Sequence, residues 1–308
     1  MGNLGYAAWT GFEGADAKPG REYPTTATAN AAIEEVTRLP EPWFLWVAFN
    51  AAHRPAHAPP PSLNPRGVLQ TAPEVERFGA VIEALDIELG RVVAAIDWSD
   101  TVLLFVGDNG SYGPFMPTSW QPANGKGSVY ESGTRVPLII AGTGTGEPGR
   151  RVETLTHSVD LFPTILDIAG ILPESVTVST VGHWEAVAGG SEAPWLGKQT
   201  SPILPVIDGA PLRPQLETRQ AEPTRKYVFL ERFLDVGPPP YYEDLQAVRG
   251  PRYKLVRNND DEGFYDLAGR HDDGPDLLQR ELEPTEQNEL QHLRAVLDGH
   301  LRTLVYEP

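Results

Sequence analysis

The sequence predicts an α/β fold: a largely parallel sheet flanked by helices, followed by a small C-terminal antiparallel sheet with its own helix. Three observations carry that expectation. Uninterrupted apolar runs of strand length recur at 43–49, 101–106 and 136–141, the pattern of strands buried on both faces. Around them lie stretches whose apolar residues repeat at helical spacing. After residue 222 the chain changes to short runs separated by turn residues, which suits hairpins.

Taken in order, Asn30 to Leu39 has helical character and stops at Pro40, because the residue before proline is driven out of the helical region. Trp43-Phe-Leu-Trp-Val-Ala-Phe49 reads as a buried strand, and a proline-rich loop runs from His53 to Pro61. From Arg77 to Ile96, residues Val81, Ile82, Leu85, Leu89, Val92, Val93 and Ile96 fall on one helix face. Thr101–Val106 and Val136–Ala141 are two further strands, joined by a long loop. Ser158 to Ala169 is an amphipathic helix with Gly170 as its cap.

From about 170 to 222 glycine, proline and small polar residues dominate, the composition of a long surface connection. Tyr227–Arg232, Leu245–Arg249, Tyr253–Arg257 and Phe264–Leu267 read as short strands, with Gly250-Pro251 turning the middle pair. Leu290, Leu293, Leu297, Leu301 and Leu304 lie on one face of a closing helix. The expected division is 1–170 for the α/β part, 171–222 for a long loop or insertion, and 223–308 for the antiparallel sheet and helix.

The 308 residues carry a net charge of −17, which argues against nucleic acid or an anionic membrane surface as partner. An anionic substrate stays open, since one lysine or metal ion inverts the field inside a pocket. There are no cysteines, so this chain forms no disulfide, thiolate zinc site or cysteine nucleophile. No apolar stretch approaches the length of a membrane span. The opening Met1-Gly-Asn-Leu-Gly-Tyr-Ala-Ala-Trp9 reads as neither signal peptide nor anchor. It leaves compartment undecided.

The chemistry concentrates between the second and third apolar runs. Val106-Gly-Asp108-Asn109-Gly110 ends a strand in two hard-oxygen side chains on a glycine turn, and Asn124-Gly-Lys126-Gly127 places a lysine between glycines. Glu131-Ser-Gly-Thr-Arg-Val-Pro137 follows. Oxygen donors and a cation at the carboxyl end of a strand suit a divalent metal and a tetrahedral oxyanion. Each element has a plainer reading alone: Asp-Asn-Gly as a turn, Lys126 as a solvated loop charge, His53 as a surface histidine. Their ordered combination favours a site.

These residues resemble the sulfatase family. Trp46-Val-Ala-Phe-Asn-Ala-Ala-His53-Arg-Pro55 is similar to its strand ending in Asn-small-small-His-x-Pro, and Lys126 with Tyr130-Glu-Ser-Gly-Thr-Arg-Val-Pro137 resembles its lysine loop. Ile82–Arg91, Thr156–Gly170, Ile207-Asp-Gly209, Ala247-Val-Arg249 with Tyr253-Lys-Leu255, and Phe264-Tyr-Asp-Leu267 match in the same order. The resemblance implies an incomplete alkaline phosphatase-like fold. It implies Asp108 and Asn109 as ligands of a divalent cation, usually calcium in this family, and Lys126 as the contact to sulfate oxygens. It also implies His53 as proton donor to the leaving alcohol, a task suited to imidazole. The implied substrate is a small-molecule or carbohydrate sulfate ester.

The family pattern also begins with a strand ending in paired aspartates, then a Cys-or-Ser-x-Pro-x-Arg nucleophile motif and a Lys-x-His pair, and none of these three opening elements is present in this chain. Half of the metal site and the nucleophile are therefore expected to be missing, and the chain as given is expected to be inactive. Strands deprived of neighbours should expose apolar edges at 43–49 and 101–106, with poor solubility. Two alternatives stay open: a phosphodiesterase or phosphonate hydrolase of the same superfamily, and a non-catalytic remnant that binds an anion or a partner.

Other patterns do not point to a site. Gly144-Thr-Gly-Glu-Pro-Gly149 satisfies a dinucleotide-type spacing, but Pro148 denies it the helix that such a site needs, so a turn is expected. His53 and His57 are four apart with Pro55 between them, which precludes one helical face. Trp120 and Trp184 are loop residues for which packing or exposure is the simpler reading.

Overall fold

In a computed structural model of the chain, the structure describes residues 22–117, 119–120, 124–171, 209–234 and 243–303. The opening segment, Trp184, Ile207-Asp208, most of the 171–222 connection and Leu304 lie outside the described residues. The chain divides into two compact units. One comprises Met1–Thr101 with Pro114–Pro117, the other Val102–Gly113 with Thr118–Pro308.

In the first unit, helix α1 spans Pro24–Arg38 and helix α2 spans Glu74–Ala94. Proline opens α1, where its missing N–H costs nothing, and Pro40 explains its end. Glu74 and Glu76 in the first turn of α2 and Arg91 in the last complement its dipole. The two helices approach through small residues: Ala29 and Ala32 pack on Val92, with Ile33, Val47 and Phe49 closing the cluster. Glu88, buried on α2, is satisfied by the Thr26 hydroxyl at 2.7 Å and by an ion pair to Arg91.

The 43–49 segment is extended but is not a strand. Its odd-numbered residues turn inward and its even-numbered ones outward, so that Phe44 and Trp46 are 58% and 72% exposed. An apolar run states that a segment is fit for a sheet. It cannot state that a neighbour is present to accept its hydrogen bonds.

The second unit begins with β1 (Val102–Val106), continues through the one-turn helix α3 (Glu131–Thr134), and returns in β2 (Leu138–Gly142). β1 and β2 pair antiparallel, from Val102 opposite Gly142 to Val106 opposite Leu138. The largely parallel sheet expected from the sequence is thus contradicted: the described strands form one two-stranded and one four-stranded sheet, both antiparallel. A parallel pair needs a crossover long enough to carry the chain back to the starting edge, usually a full helix. Among the described residues, the connection from β1 to β2 holds no helix longer than α3, and the chain doubles back beside itself.

Helix α4 (Leu161–Ile168) ends in a Schellman motif. Gly170 takes a φ of +67°, its N–H donates to Asp167 O at 3.1 Å, and Ile171 N donates to Leu166 O at 2.9 Å. The 144–149 segment is a turn, with Gly144 and Gly149 in the left-handed region. A short helix α5 covers Arg213–Glu217.

Strands β3 (Val228–Leu234), β4 (Glu243–Arg249), β5 (Tyr253–Asn258) and β6 (Asp261–Asp266) form a meander in sequence order. Gly250 N closes the β4–β5 turn on Tyr253 O at 2.9 Å, and Asn259, at a φ of 52°, serves the two-residue β5–β6 turn. One sheet face places Val248, Leu255 and Phe264 against Leu290, Leu293 and Leu297 of helix α6 (Pro284–Thr303). The opposite face places Leu245, Ala247 and Val256 against Val129, with Tyr130 and Tyr265 at its margin. The small sheet is therefore covered on both sides, by its own helix and by the segment that follows Lys126.

Candidate functional site

The ladder of β1 runs one residue past the strand, where Gly107 N donates to Pro137 O at 3.0 Å, and then the chain turns at Asp108-Asn109-Gly110. Asp108 is exposed and its Oδ1 accepts the Asn109 N–H at 2.9 Å, while Asn109 Nδ2 donates to Gly110 O at 3.1 Å. Asn109 thereby commits its amide nitrogen locally and keeps its side-chain oxygen for another partner.

Three segments interlock behind this turn. Gly110 N donates to Gly133 O at 2.8 Å, and Lys126 N donates to Ser111 O at 2.8 Å. The hydroxyls of Ser128 and Ser132 both donate to Asn124 O, at 2.6 and 2.7 Å. Glycine is obligatory at the crossings. A Cβ on Gly110 would stand 1.9 Å from Ser132 O, one on Gly125 2.6 Å from Ser111 O, and one on Gly133 2.5 Å from Gly125 O. The structure thus brings the Asp108-Asn109 turn and the exposed Lys126 together on one framework.

His53 belongs to the other unit, on the proline-rich loop, with its ring exposed. Its Nδ1 lies 2.8 Å from Arg54 O. A carbonyl only accepts, so Nδ1 is the donor in this contact.

Asp108 and Asn109 offer the hard oxygens that calcium prefers, but calcium takes about six to eight donors. Among the described residues no group of three or more His, Cys, Asp or Glu side chains stands ready to hold a metal ion. The donors present fit the ion in kind and fall short in number.

Beneath the lysine loop lies a charged cluster that sequence reasoning did not assign. Lys254 of β5 is fully buried, with its Nζ 3.2 Å from both Glu131 Oε1 and Asp273 Oδ1. Glu131 N donates to Asp273 Oδ2 at 2.8 Å, and Arg249 Nε reaches Glu131 Oε1 at 3.3 Å. Burial raises the Asp273 carboxyl above the usual carboxylate range, and the Lys254 ammonium and the Glu131 N–H offset only part of that. The available signal was the alternation of Tyr253-Lys-Leu-Val256: Lys254 shares a face with Val256 on an inner strand, where a charge requires partners.

The Thr156–Gly170 motif proves to be a structural joint. Buried Asp160 pairs with Arg225 through both carboxylate oxygens and accepts the N–H groups of His157 at 2.8 Å and Ala210 at 3.0 Å. Burial pushes its pKa up, but these hydrogen bonds outweigh burial and hold it below the ordinary value. His157, whose Nε2–H donates to Phe229 O at 3.2 Å, has its own pKa lowered by burial. Trp120 is half-buried.

The sulfatase family model matches residues 5–171, just over half of the chain. An uncharacterized sulfatase of Escherichia coli (strain K12), YdeN, is 26% identical over 195 residues, 60% of this chain and 33% of that one. N-acetylgalactosamine-6-sulfatase of Canis lupus familiaris is 30% identical over 149 residues, 44% of this chain and 26% of the relative. The chain thus spans about a quarter to a third of the length of these curated relatives. Among solved structures it is similar in fold to Ps i-CgsB in complex with k-i-k-neocarrahexaose, with a TM-score of 0.64 and 18% identity over 90% of this chain and 55% of that one. It is also similar to the phosphonate monoester hydrolase SpPMH from Silicibacter pomeroyi, with a TM-score of 0.52 and 20% identity over 89% of this chain and 60% of the other. No described helix is long and apolar enough to cross a membrane. With its family pattern running over more than half of its length, the chain belongs to the sulfatase family.

Proposed function

We propose that this chain carries the anion-binding part of a metal-dependent hydrolase of sulfate esters, acting on a small-molecule or carbohydrate sulfate. Lys126 binds the sulfate oxygens, where its ammonium offsets charge that grows in the transition state. Asp108 and Asn109 supply two oxygen ligands to a divalent cation, calcium in this reading, and His53 gives a proton to the departing alcohol. The observation that supports this best is the locking of the Asp108-Asn109 turn to the Lys126 loop through Gly110, Ser111 and Gly133. The curated relatives favour sulfate over phosphonate, being sulfatases by name.

With no cysteine and no Ser-x-Pro-x-Arg motif, the chain lacks the family's nucleophile and binds without turnover. Ligand-observed NMR with 4-nitrophenyl sulfate tests this. Saturable binding lost in Lys126→Ala, with no 4-nitrophenol released, is the expected result. Binding indifferent to Lys126→Ala would refute the role given to Lys126, and release of 4-nitrophenol would refute the missing nucleophile.

A further inference from the structure

We infer that Lys254 is a positioning residue for the Asp108-Asn109 turn and the Lys126 loop, acting through Glu131 and Asp273. Functional weight for this role rests on the reading of Asp108, Asn109 and Lys126 given above. The geometry itself stands apart from that reading.

β5 is an inner strand, hydrogen-bonded to β4 on one side and β6 on the other, so the Lys254 backbone is held from both sides. Its ammonium gathers two carboxylates from distant stretches of chain, Glu131 at the start of α3 and Asp273 in the loop after β6. Asp273 in turn holds the Glu131 backbone N–H at 2.8 Å, and Arg249 from β4 adds a second cation. The first residue of α3 is therefore fixed by both its main chain and its side chain.

What α3 then touches gives the cluster its purpose. Gly133 O receives the Gly110 N–H, and Ser132 O lies so close that Gly110 has no room for a Cβ. Ser132 Oγ donates to Asn124 O. A displacement of Glu131 passes in one step to the residue after Asn109 and to the residue two before Lys126.

Plain packing does not require charge at this place. A buried ion cluster is often no more stabilising than apolar side chains of the same shape, whereas its directional contacts fix one arrangement. Among the described residues, Glu131 Oε2 and Asp273 Oδ1 have no hydrogen-bond partner, although Arg135 Nη1 stands 3.8 Å from the former and the Lys254 ammonium 3.2 Å from the latter.

The test compares the chain with its Lys254→Met and Asp273→Asn variants by amide hydrogen exchange, at a temperature where circular dichroism shows each fully folded. The Gly110 and Lys126 amides are expected to exchange at least tenfold faster in both variants, while the Leu255 and Val248 amides change less than threefold. Titration with inorganic sulfate, followed at the Lys126 amide, should show at least fivefold weaker binding in the variants. A merely structural role would speed all four amides alike and leave sulfate affinity unchanged, which overturns the proposal. If Lys254→Met does not fold, Asp273→Asn decides by the same criteria. Absence of any sulfate effect on Lys126 in the unaltered chain would sink the functional reading instead, and the exchange pattern would still decide the positioning.

Discussion

Replacing Gly110 with alanine probes the interlock most severely. Its Cβ would lie 1.9 Å from Ser132 O and 2.7 Å from Gly133 Cα. Ordinary contact begins near 3.4 Å, so the 132–133 backbone must retreat by about 1.5 Å. That retreat breaks the 2.8 Å bond from Gly110 N to Gly133 O and drags on Glu131, whose carboxylate is buried beside Lys254. Overpacking costs about 1–3 kcal/mol and a lost buried hydrogen bond about 1 kcal/mol more, giving an expected loss of about 2–4 kcal/mol. Gly90 in α2 is the control, because a Cβ there meets nothing within 4 Å and the position is helical. Gly90→Ala should stabilise by about 0.5–1 kcal/mol. Urea unfolding followed by circular dichroism measures both. Gly110→Ala within about 0.5 kcal/mol of the unaltered chain would refute the tight crossing and the chain of contacts built on it.

Two further outcomes follow from other parts of the molecule. A carboxyl whose folded pKa lies below its unfolded value stabilises the fold above that unfolded value, near 4 for aspartate, and the contribution disappears as pH falls through the folded value. Asp160 is such a group. Arg225→Met should therefore cost about 3–5 kcal/mol near neutrality, by stranding a buried carboxylate, and progressively less as acid protonates Asp160, which flattens the acid limb of the stability–pH curve; a cost that does not change with pH would contradict this. Exposed apolar side chains, Phe44 and Trp46 in one unit and Ile139 (58% exposed) in the other, predict concentration-dependent self-association. Sedimentation should show it reduced in Trp46→Gln with Ile139→Thr, and a monodisperse unaltered chain would count against it.

What the sequence made legible was local. Helices α1, α2, α4 and α6 announce themselves through apolar spacing, Pro40 and Gly170, and the C-terminal strands through Gly250-Pro251 and their alternation, although α1 begins at Pro24, six residues before the expected Asn30. Partnership was not legible. The 43–49 run looks like a strand because Trp, Phe and Val suit one, yet no described neighbour accepts its hydrogen bonds. β1 and β2 looked parallel because apolar strands amid helices usually are, and only the doubling back between them makes them antiparallel. For the candidate site, Asp108, Asn109 and Lys126 stood out by residue type and order. The glycine crossings behind them did not, because Gly110, Gly125 and Gly133 read as turn residues until the opposing carbonyls are seen. Lys254, Glu131 and Asp273 are separated by more than a hundred residues on one side of the cluster, so nothing local marks them as a group.

The most direct measurement is a crystal of the chain soaked in sodium selenate, a heavier analogue of sulfate, with anomalous scattering recorded at the selenium edge. A peak is expected within hydrogen-bonding distance of the Lys126 ammonium. Selenate bound only at other basic side chains, with Lys126 unoccupied, would contradict this.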